Sequence, residues 1–276
     1  MAVAFSALTA SAQLEPLVQT LERGDVEQRR SALANIRNLR SESASRVAIP
    51  ALKDKNVMVR ATAASSVVFL PPAEAASVLI PMLNDRDEFV RREAAFALGE
   101  VGDQSAVAPL LALLNREKAI EVRSAAVIGL GGTGDASTIA PLLAILAKRA
   151  REEDEFVRRS AARAVGRIAQ FVRIGTRDVV TPQNFLPERF KDLKTPVTIS
   201  ATQQNGVFRS ATAQLLKVLN SSNESDDTRR EAAFALGAIG DASALPDLRS
   251  KIGAADNYLS EISKEAVLKI EVANPQ

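Results

Sequence analysis

The sequence predicts an all-α protein, an α-solenoid of about seven stacked helix pairs. Two observations carry this prediction: one helical motif recurs along the chain, and a Gly-Asp pair follows several of its copies. A single helix pair cannot bury its apolar face alone, so the repeated pairs are expected to stack.

The motif is clearest in Asp87–Asp103, which reads D-E-F-V-R-R-E-A-A-F-A-L-G-E-V-G-D. Val90, Ala94, Leu98 and Val101 recur at the spacing of one buried stripe on an amphipathic helix. The glycine that follows can end a helix in the left-handed conformation, and the aspartate can cap the next helix. The motif therefore predicts the second helix of a pair, followed by a sharp turn.

Further copies of this second helix follow in the same register. They begin at Gln28, Val59, Val90, Val122, Val157 and Thr228, with a degenerate last copy at Ile262. The first helices that follow Gly-Asp turns are predicted at 106–114, 138–146 and 244–248. Prolines recur in the first helices at Pro16, Pro50, Pro81, Pro109, Pro141 and Pro246. Such a proline either bends a helix interior or marks a first turn, and both alternatives stay open.

The repeat pattern breaks between Phe171 and Asn205, where prolines and β-branched residues interrupt the helical period. The predicted organisation is a single repeat domain over 1–276, with repeats 1–5 in 14–170, an insertion in 171–205, and repeat 6 with a C-terminal cap in 206–276. We expect the insertion to be mostly non-helical, and to be cleaved first by proteases, near Arg177 or Lys194.

Composition excludes several kinds of catalytic and metal site. The chain has no cysteine and no histidine, so it lacks thiolate and imidazole ligands, the usual neutral-pH acid–base group and any disulfide. We therefore expect no metal, no cofactor and no catalytic residue. The segment Met1–Gln13 lacks the Lys or Arg of a secretory signal, and no apolar run is long enough to span a membrane. We expect a cytoplasmic protein in which Met1–Gln13 is a frayed or capping segment.

Two local patterns resemble ligand sites, but their contexts favour structural roles. The acidic run Glu152–Glu155 precedes a helix start, where carboxylates interact favourably with the helix dipole. The glycines between Gly129 and Gly134 lie inside and after a helix, whereas a phosphate loop connects a strand to a helix. Neither pattern predicts a cation or nucleotide site.

The pattern V-R-x-x-A-A-x-A-L-G-x-I-G-D, with a Pro-Leu-Leu helix before it, resembles the HEAT-like repeat, in particular the short repeat named after phycobilisome lyases. The resemblance covers nearly the whole chain outside the insertion and implies a right-handed α-solenoid. It also implies that an aspartate before each second helix and an arginine inside it form a ladder between neighbouring units. The matching residues are Asp25, Arg29, Arg60, Asp87, Arg91, Arg123, Asp154, Arg158 and Arg229. This ladder is expected to be incomplete, because Asn56, Ala119 and Ser225 replace the aspartate beside three of the arginines.

One stripe of each second helix is predicted to point away from the core, and the resemblance implies that these stripes line a concave surface. The stripe residues chosen as a partner-binding face are Arg30, Phe69, Arg92, Phe96, Glu100, Ile128, Arg159, Arg163, Arg167, Arg230 and Phe234. Aromatic and arginine side chains are the usual hot spots of protein interfaces. The alternative is that the phenylalanines pack between helices, while the arginines are solvated or pair internally with Glu93, Glu100 or Glu231.

These patterns favour a non-catalytic protein-binding scaffold, such as an adaptor, assembly or turnover factor. The resemblance links it to phycobilisomes or photosynthetic complexes, with a phycobiliprotein or another complex subunit as the partner. It also leaves an alternative, a subunit of an E/F-type bilin lyase that binds a phycobilin and a phycobiliprotein. Nucleic-acid binding by the arginine row is a second alternative, disfavoured by the net charge of +2 and the few aromatic residues.

Overall fold

The computed structural model describes residues 14–175 and 206–274, and this part of the chain is helical without any strand. The contacts group the chain into two compact units, Met1–Gly129 and Leu130–Gln276. In both units helix pairs stack side by side, which confirms the predicted all-α solenoid class.

In the first unit, the second helices of the pairs pack side by side and the first helices cover them. The helices are α1 (14–23), α2 (Val26–Asn38), α3 (Glu42–Ala48), α4 (Val57–Ser66), α5 (Pro72–Leu79), α6 (Glu88–Val101) and α7 (Val107–Arg116). Helix α4 packs between α2 and α6, while α3 packs on α2 and α5 packs on α6. The next helix, α8 (Ile120–Thr133), contains the boundary between the two units.

The second unit repeats this two-layer arrangement. Its further helices are α9 (Ile139–Ala147), α10 (Glu155–Ile174), α11 (Gly206–Asn220), α12 (Asp226–Ile239), α13 (Leu245–Ser250) and α14 (Asn257–Ala273). Helix α12 packs between α10 and α14, and α9 packs on α11 in the other layer. The second helices α10, α12 and α14 thus form one row of neighbours.

The helix ends follow the chemistry of the motif. Asp87 accepts a hydrogen bond from the Phe89 amide at the start of α6, and Gly102 ends the helix with a left-handed φ of 70°. Asp103 then caps the next short 3-10 turn by accepting from the Ser105 amide. Because glycine reaches this φ without a Cβ clash, each Gly-Asp pair can end one helix and begin the next.

Small residues set the spacing between neighbouring second helices. A methyl group added at Gly99 of α6 would lie 2.6 Å from the Cα atom of Gly129 on α8. In the second unit, a methyl group at Gly237 of α12 would lie 2.8 Å from the Cα atom of Ala266 on α14. These distances are shorter than any side chain tolerates, so the helix backbones pack in direct contact.

The recurrent prolines mark helix starts or switches of helix type. Pro50 and Pro81 lie near the beginning of the 3-10 segments Ile49–Lys53 and Ile80–Asn84, which directly follow α3 and α5. Pro246 lies in the first turn of α13. The first-turn role fits Pro246, because a proline there removes no helical hydrogen bond, whereas Pro50 and Pro81 lie where the helix changes type without a break.

Helix α10 extends further than predicted. The insertion was expected to begin at residue 171, but the helix continues to Ile174 and ends at Gly175 with a φ of 72°. Its last turn is held by packing, because Phe171 lies against Gly134 and Arg173 is buried. The rest of the predicted insertion (176–205), with Arg177 and Lys194, lies outside the described residues, as does Met1–Gln13.

The last repeat has a different register from the predicted one. Its second helix was expected to align from Ile262, but Leu259 takes the position that Val90 has in α6. Asp256 caps α14 by accepting from the Leu259 amide. It precedes Leu259 by three residues, as the cap residue Asp87 precedes Val90 in the motif. This cap fixes the helix start, and Ala266 consequently meets Gly237.

Candidate functional site

The predicted stripe residues divide between the two units, and all of them lie on second helices except Phe69, which follows the end of α4 at Ser66. The first face comprises Arg30, Phe69, Arg92, Phe96, Glu100 and Ile128. The second face comprises Arg159, Arg163, Arg167, Arg230 and Phe234. Each of these residues is at least partly exposed, whereas the motif alanines Ala94, Ala126, Ala161 and Ala232 are fully buried.

Phe96 is the large apolar side chain that the first face exposes most, at 37%. Ile128 is half-buried, and so is Phe69, whose ring centroid lies 5.4 Å from the guanidinium carbon of Arg40. Exposed aromatic surface is unfavourable in water, so within the first face Phe96 is the strongest candidate for an apolar contact to a partner.

Charged groups of the first face are paired with neighbouring side chains. Arg37 of α2 donates to both carboxylate oxygens of Glu100 on α6, at 3.0 and 2.8 Å, and also donates to the Ser65 carbonyl of α4. Arg30 pairs with Glu27 at 2.9 Å. Arg37, which was not among the predicted site residues, thus connects α2, α4 and α6 and neutralises Glu100.

Arg92 is held in the same face by two contacts. Its guanidinium group donates to Glu93 at 2.9 Å, and its guanidinium carbon lies 4.5 Å from the ring centroid of Phe89. Because these arginines are paired, the exposed ring of Phe96 is surrounded by charges that are already neutralised.

On the second face, two arginines of α10 pair with carboxylates of α12 at a constant spacing. Arg159 donates to Asp227 at 2.9 Å, and Arg163 donates to Glu231 at 2.7 Å, each across 68 residues. The alternative of internal pairing therefore describes both of these arginines. Burial raises the pKa of Glu231, and the attraction of Arg163 and their hydrogen bond do not fully offset that effect.

Arg167 continues the row by one helical turn but has no ion-pair or hydrogen-bond partner among residues 14–175 and 206–274. Its side chain is half-buried. Burial lowers the pKa of Arg167, and the positive charge of Arg163 lowers it further. The row therefore ends in a cation whose surroundings oppose its charge.

Phe234 packs between helices while keeping part of its ring accessible. A methyl group added at Gly166 of α10 would lie 2.7 Å from the Cε1 atom of Phe234. On the other side, the Nζ atom of Lys269 lies 6.0 Å from the ring centroid. Phe234 thus fits the packing alternative, although its side chain remains partly exposed.

The arginine ladder exists in the structure with partners that differ from the expected ones. Arg60 donates to both oxygens of Asp85 at 2.8 and 2.9 Å, Arg91 donates to Glu117 at 2.7 Å, and Arg29 lies 3.4 Å from Asp54. Each acid lies at the turn before the next second helix, two residues before the position expected to carry the aspartate. That turn brings the acid beside the arginine of the preceding repeat.

Two of the three expected ladder aspartates make other contacts. Asp25 and Asp87 cap their own helices, α2 and α6, by accepting backbone amide hydrogen bonds. Asp154 occupies the cap position of α10. A carboxylate at a helix start lies close to free amide groups, which explains why the first two accept from the backbone.

The last arginine pairs also depart from the expectation. Arg229 pairs with Asp226 within α12, one turn away. The contact to the next helix comes instead from Arg230, which donates to Asp256 at 2.9 and 3.0 Å and to Asp227 at 2.7 Å. Arg123, also predicted for the ladder, is half-buried on α8.

Three ladder carboxylates have lowered pKa values. For Asp85, Glu117 and Asp256, burial opposes ionisation, but hydrogen bonds from the paired arginine and from backbone amides outweigh it. Each pKa therefore lies below its ordinary value, which means that the ion pairs persist at neutral pH.

A deeply buried ion pair joins Arg158 of α10 to Glu224, with side chains only 3% and 5% exposed. The Nε atom of Arg158 donates to Glu224 at 3.1 Å, and its other nitrogens donate to the carbonyls of Ile145, Leu146 and Lys148. The sequence prediction missed Glu224, because the insertion lies between it and Arg158.

The described residues offer no group of three or more acidic side chains arranged to hold a metal ion. Nor does any helix in the ranges 14–175 and 206–274 have the length and apolarity needed to cross a membrane. What the two faces provide is apolar and charged contact surface.

Comparison with known families identifies the repeats. The model of HEAT repeats matches residues 14–95 and 76–166, and the model of the PBS lyase HEAT-like repeat matches residues 228–252. No curated protein matches the chain.

Two solved structures show the same fold. One is the complex of CpcE and CpcF of phycocyanin lyase from Nostoc sp. PCC7120, with 20% identity, a TM-score of 0.53, and coverage of 93% of this chain and 94% of that chain. The other is an engineered protein with 19% identity, a TM-score of 0.51, and coverage of 97% of this chain and 70% of that chain. At these identities the similarity establishes the fold.

Proposed function

Since the chain belongs to the HEAT-repeat family, we propose that it works as a non-catalytic protein-binding scaffold whose partner docks on the first face. The observation that carries this proposal is Phe96, an aromatic ring that is 37% exposed on a face where the arginines are already paired. A ring in this setting gains most by being covered by another protein, because burial removes apolar surface from water.

We further propose that the partner belongs to a phycobilisome or another photosynthetic complex. The match of residues 228–252 to the PBS lyase HEAT-like repeat supports this, together with the fold shared with the CpcE and CpcF complex. The scaffold would then be an assembly or turnover factor that holds a phycobiliprotein or complex subunit.

The competing function is a subunit of a bilin lyase, which would bind a phycobilin as well as a phycobiliprotein. A titration of the chain with free phycobilins separates the two functions, since a bound bilin changes its absorption spectrum. The scaffold proposal expects an unchanged spectrum, and a saturable change would favour the lyase alternative. For nucleic-acid binding, the salt dependence of DNA affinity gives the corresponding test.

The first prediction tests the docking face with Phe96→Ala. The partner is first recovered from native extract with the unaltered chain, and its affinity is then measured by calorimetry. We expect the variant to lose about 1 kcal/mol or more, or roughly fivefold in Kd, because the ring contributes buried apolar surface. Its melting temperature should stay within a few degrees of the unaltered chain.

The matched control is Phe156→Ala, which removes an equally large ring that is 59% exposed at the start of α10, outside the first face and beside Arg159. This control should leave the affinity unchanged. Equal affinity of the Phe96→Ala variant and the unaltered chain, with both folded, would exclude the first face as the docking site.

A further inference from the structure

We propose that Arg167 binds a carboxylate from an acidic segment of the partner protein. This inference rests on the proposed scaffold function and adds the chemistry of the partner at the second face. It follows from the ion pairs between α10 and α12, which are formed by Arg159 and Arg163 but not by Arg167.

The pattern is a row of arginines on α10 that face acids on α12. Arg159 and Arg163 pair with Asp227 and Glu231, each 68 residues further along the chain. The same spacing from Arg167 leads to residue 235, which is an alanine. Two cations of the row are therefore neutralised within the chain, and the third has no ion-pair partner in the described ranges 14–175 and 206–274.

Close packing explains why the third acid is missing. A methyl group added at Gly166 would lie 3.0 Å from the Cα atom of Ala235, which is fully buried. The backbones of α10 and α12 are in contact at this level, so a carboxylate side chain on α12 has no room. A negative charge can reach Arg167 only from outside this helix pair.

The surroundings of Arg167 favour such a charge. The side chain is half-buried and lies one turn from Arg163, so both reduced solvation and like-charge repulsion act on the guanidinium. A carboxylate relieves both effects, and its two oxygens match the planar donors of arginine.

The second face also favours a peptide over a free small anion. Phe234 packs over Gly166, the residue next to Arg167, and keeps part of its ring accessible. An acidic segment with apolar residues can contact this ring and the guanidinium together, whereas a small anion makes the charged contact alone. The apolar contact adds affinity that salt does not screen.

The second prediction uses a fluorescent peptide of alternating glutamate and leucine as the probe, measured by fluorescence anisotropy with the full chain. Arg167→Gln should weaken its binding about tenfold, in the range of a charge-assisted hydrogen bond at a partly exposed site. Arg167→Lys should recover part of the loss, because it restores the charge without the planar donors. A matched peptide with glutamine in place of glutamate should bind the unaltered chain as weakly as the acidic peptide binds Arg167→Gln.

The control variant is Arg151→Gln, which makes the same change of net charge at an exposed arginine outside both faces. It should bind the acidic peptide like the unaltered chain. Absent binding of the acidic peptide, equal binding of the glutamine peptide, or an equal loss in Arg151→Gln would each overturn the proposal. The Phe96→Ala result is independent, so the scaffold function can stand while the carboxylate site fails.

Discussion

At the scale of single residues, the buried pair of Arg158 and Glu224 ties the two sides of the predicted insertion together. Both side chains are almost fully buried, so neither charge can turn to water when the other is lost. Arg158 also satisfies carbonyls at the end of α9 and in the turn after it, and it therefore has to remain in place.

The third prediction follows from this pair. Glu224→Gln should lower the free energy of unfolding by about 3 kcal/mol, because a buried guanidinium loses its counter-charge. The midpoint of urea unfolding, followed by circular dichroism, measures the change. As a control, Glu153→Gln removes a carboxylate from an exposed pair and should shift the midpoint little. A similar shift in both variants would show that burial does not strengthen the inner pair.

The ladder shows what residue-level prediction could and could not reach. The arginines Arg60 and Arg91 were identified from the sequence, but their partners Asp85 and Glu117 were not, because the local motif suggested the cap aspartates. The separation along the chain between each arginine and its partner could have revealed these pairs: Asp85 follows Arg60 by 25 residues, and Glu117 follows Arg91 by 26. An acid at a near-constant distance along the chain indicates a contact to the next repeat.

At the scale of elements, the second helices are defined by their ends and their glycines. The predicted motif gave α6 almost to the residue, since Asp87 and Gly102 are local capping signals that need no tertiary information. The end of α10 carries the same local signal, because Gly175 ends this helix with a left-handed φ of 72°, and the predicted boundary at residue 171 passed over it. Packing of Phe171 on Gly134 and burial of Arg173 further stabilise the last turn.

The fourth prediction concerns the contact between α6 and α8. Gly99→Ala should cost about 1–3 kcal/mol, because the added methyl group overlaps the backbone at Gly129 and the helices must move apart. The control, Gly206→Ala, adds a methyl group where no atom lies within 4 Å, and should be neutral or slightly stabilising. Thermal unfolding of both variants measures the difference, and an unchanged melting temperature for Gly99→Ala would contradict the close packing.

At the scale of the whole molecule, both units depend on ionised carboxylates. The lowered pKa values of Asp85 and Glu117 in the first unit and Asp256 in the second mean that the folded state binds protons more weakly than the unfolded state. Their contribution to stability is present above the ordinary pKa values of 3.8 for aspartate and 4.5 for glutamate, and is lost as pH falls through the lower folded values. The effect of Glu231 on stability has the opposite sign. Because its pKa is raised in the folded state, its ionised form lowers the stability at neutral pH, and protonation at lower pH removes this loss.

The fifth prediction is that acid unfolds the protein chiefly below the ordinary carboxylate pKa values. The urea midpoint should change little from pH 7 to pH 5, where the ladder acids stay ionised and protonation of Glu231 acts in the favourable direction. It should then fall steeply towards pH 3. Asp85→Asn should be less stable than the unaltered chain at pH 7, because Arg60 loses its partner, and the difference should shrink towards pH 3, where protonation removes the same pair. A difference that stays constant between pH 7 and pH 3 would mean that the Asp85 carboxylate, although paired in the structure, does not couple folding to pH.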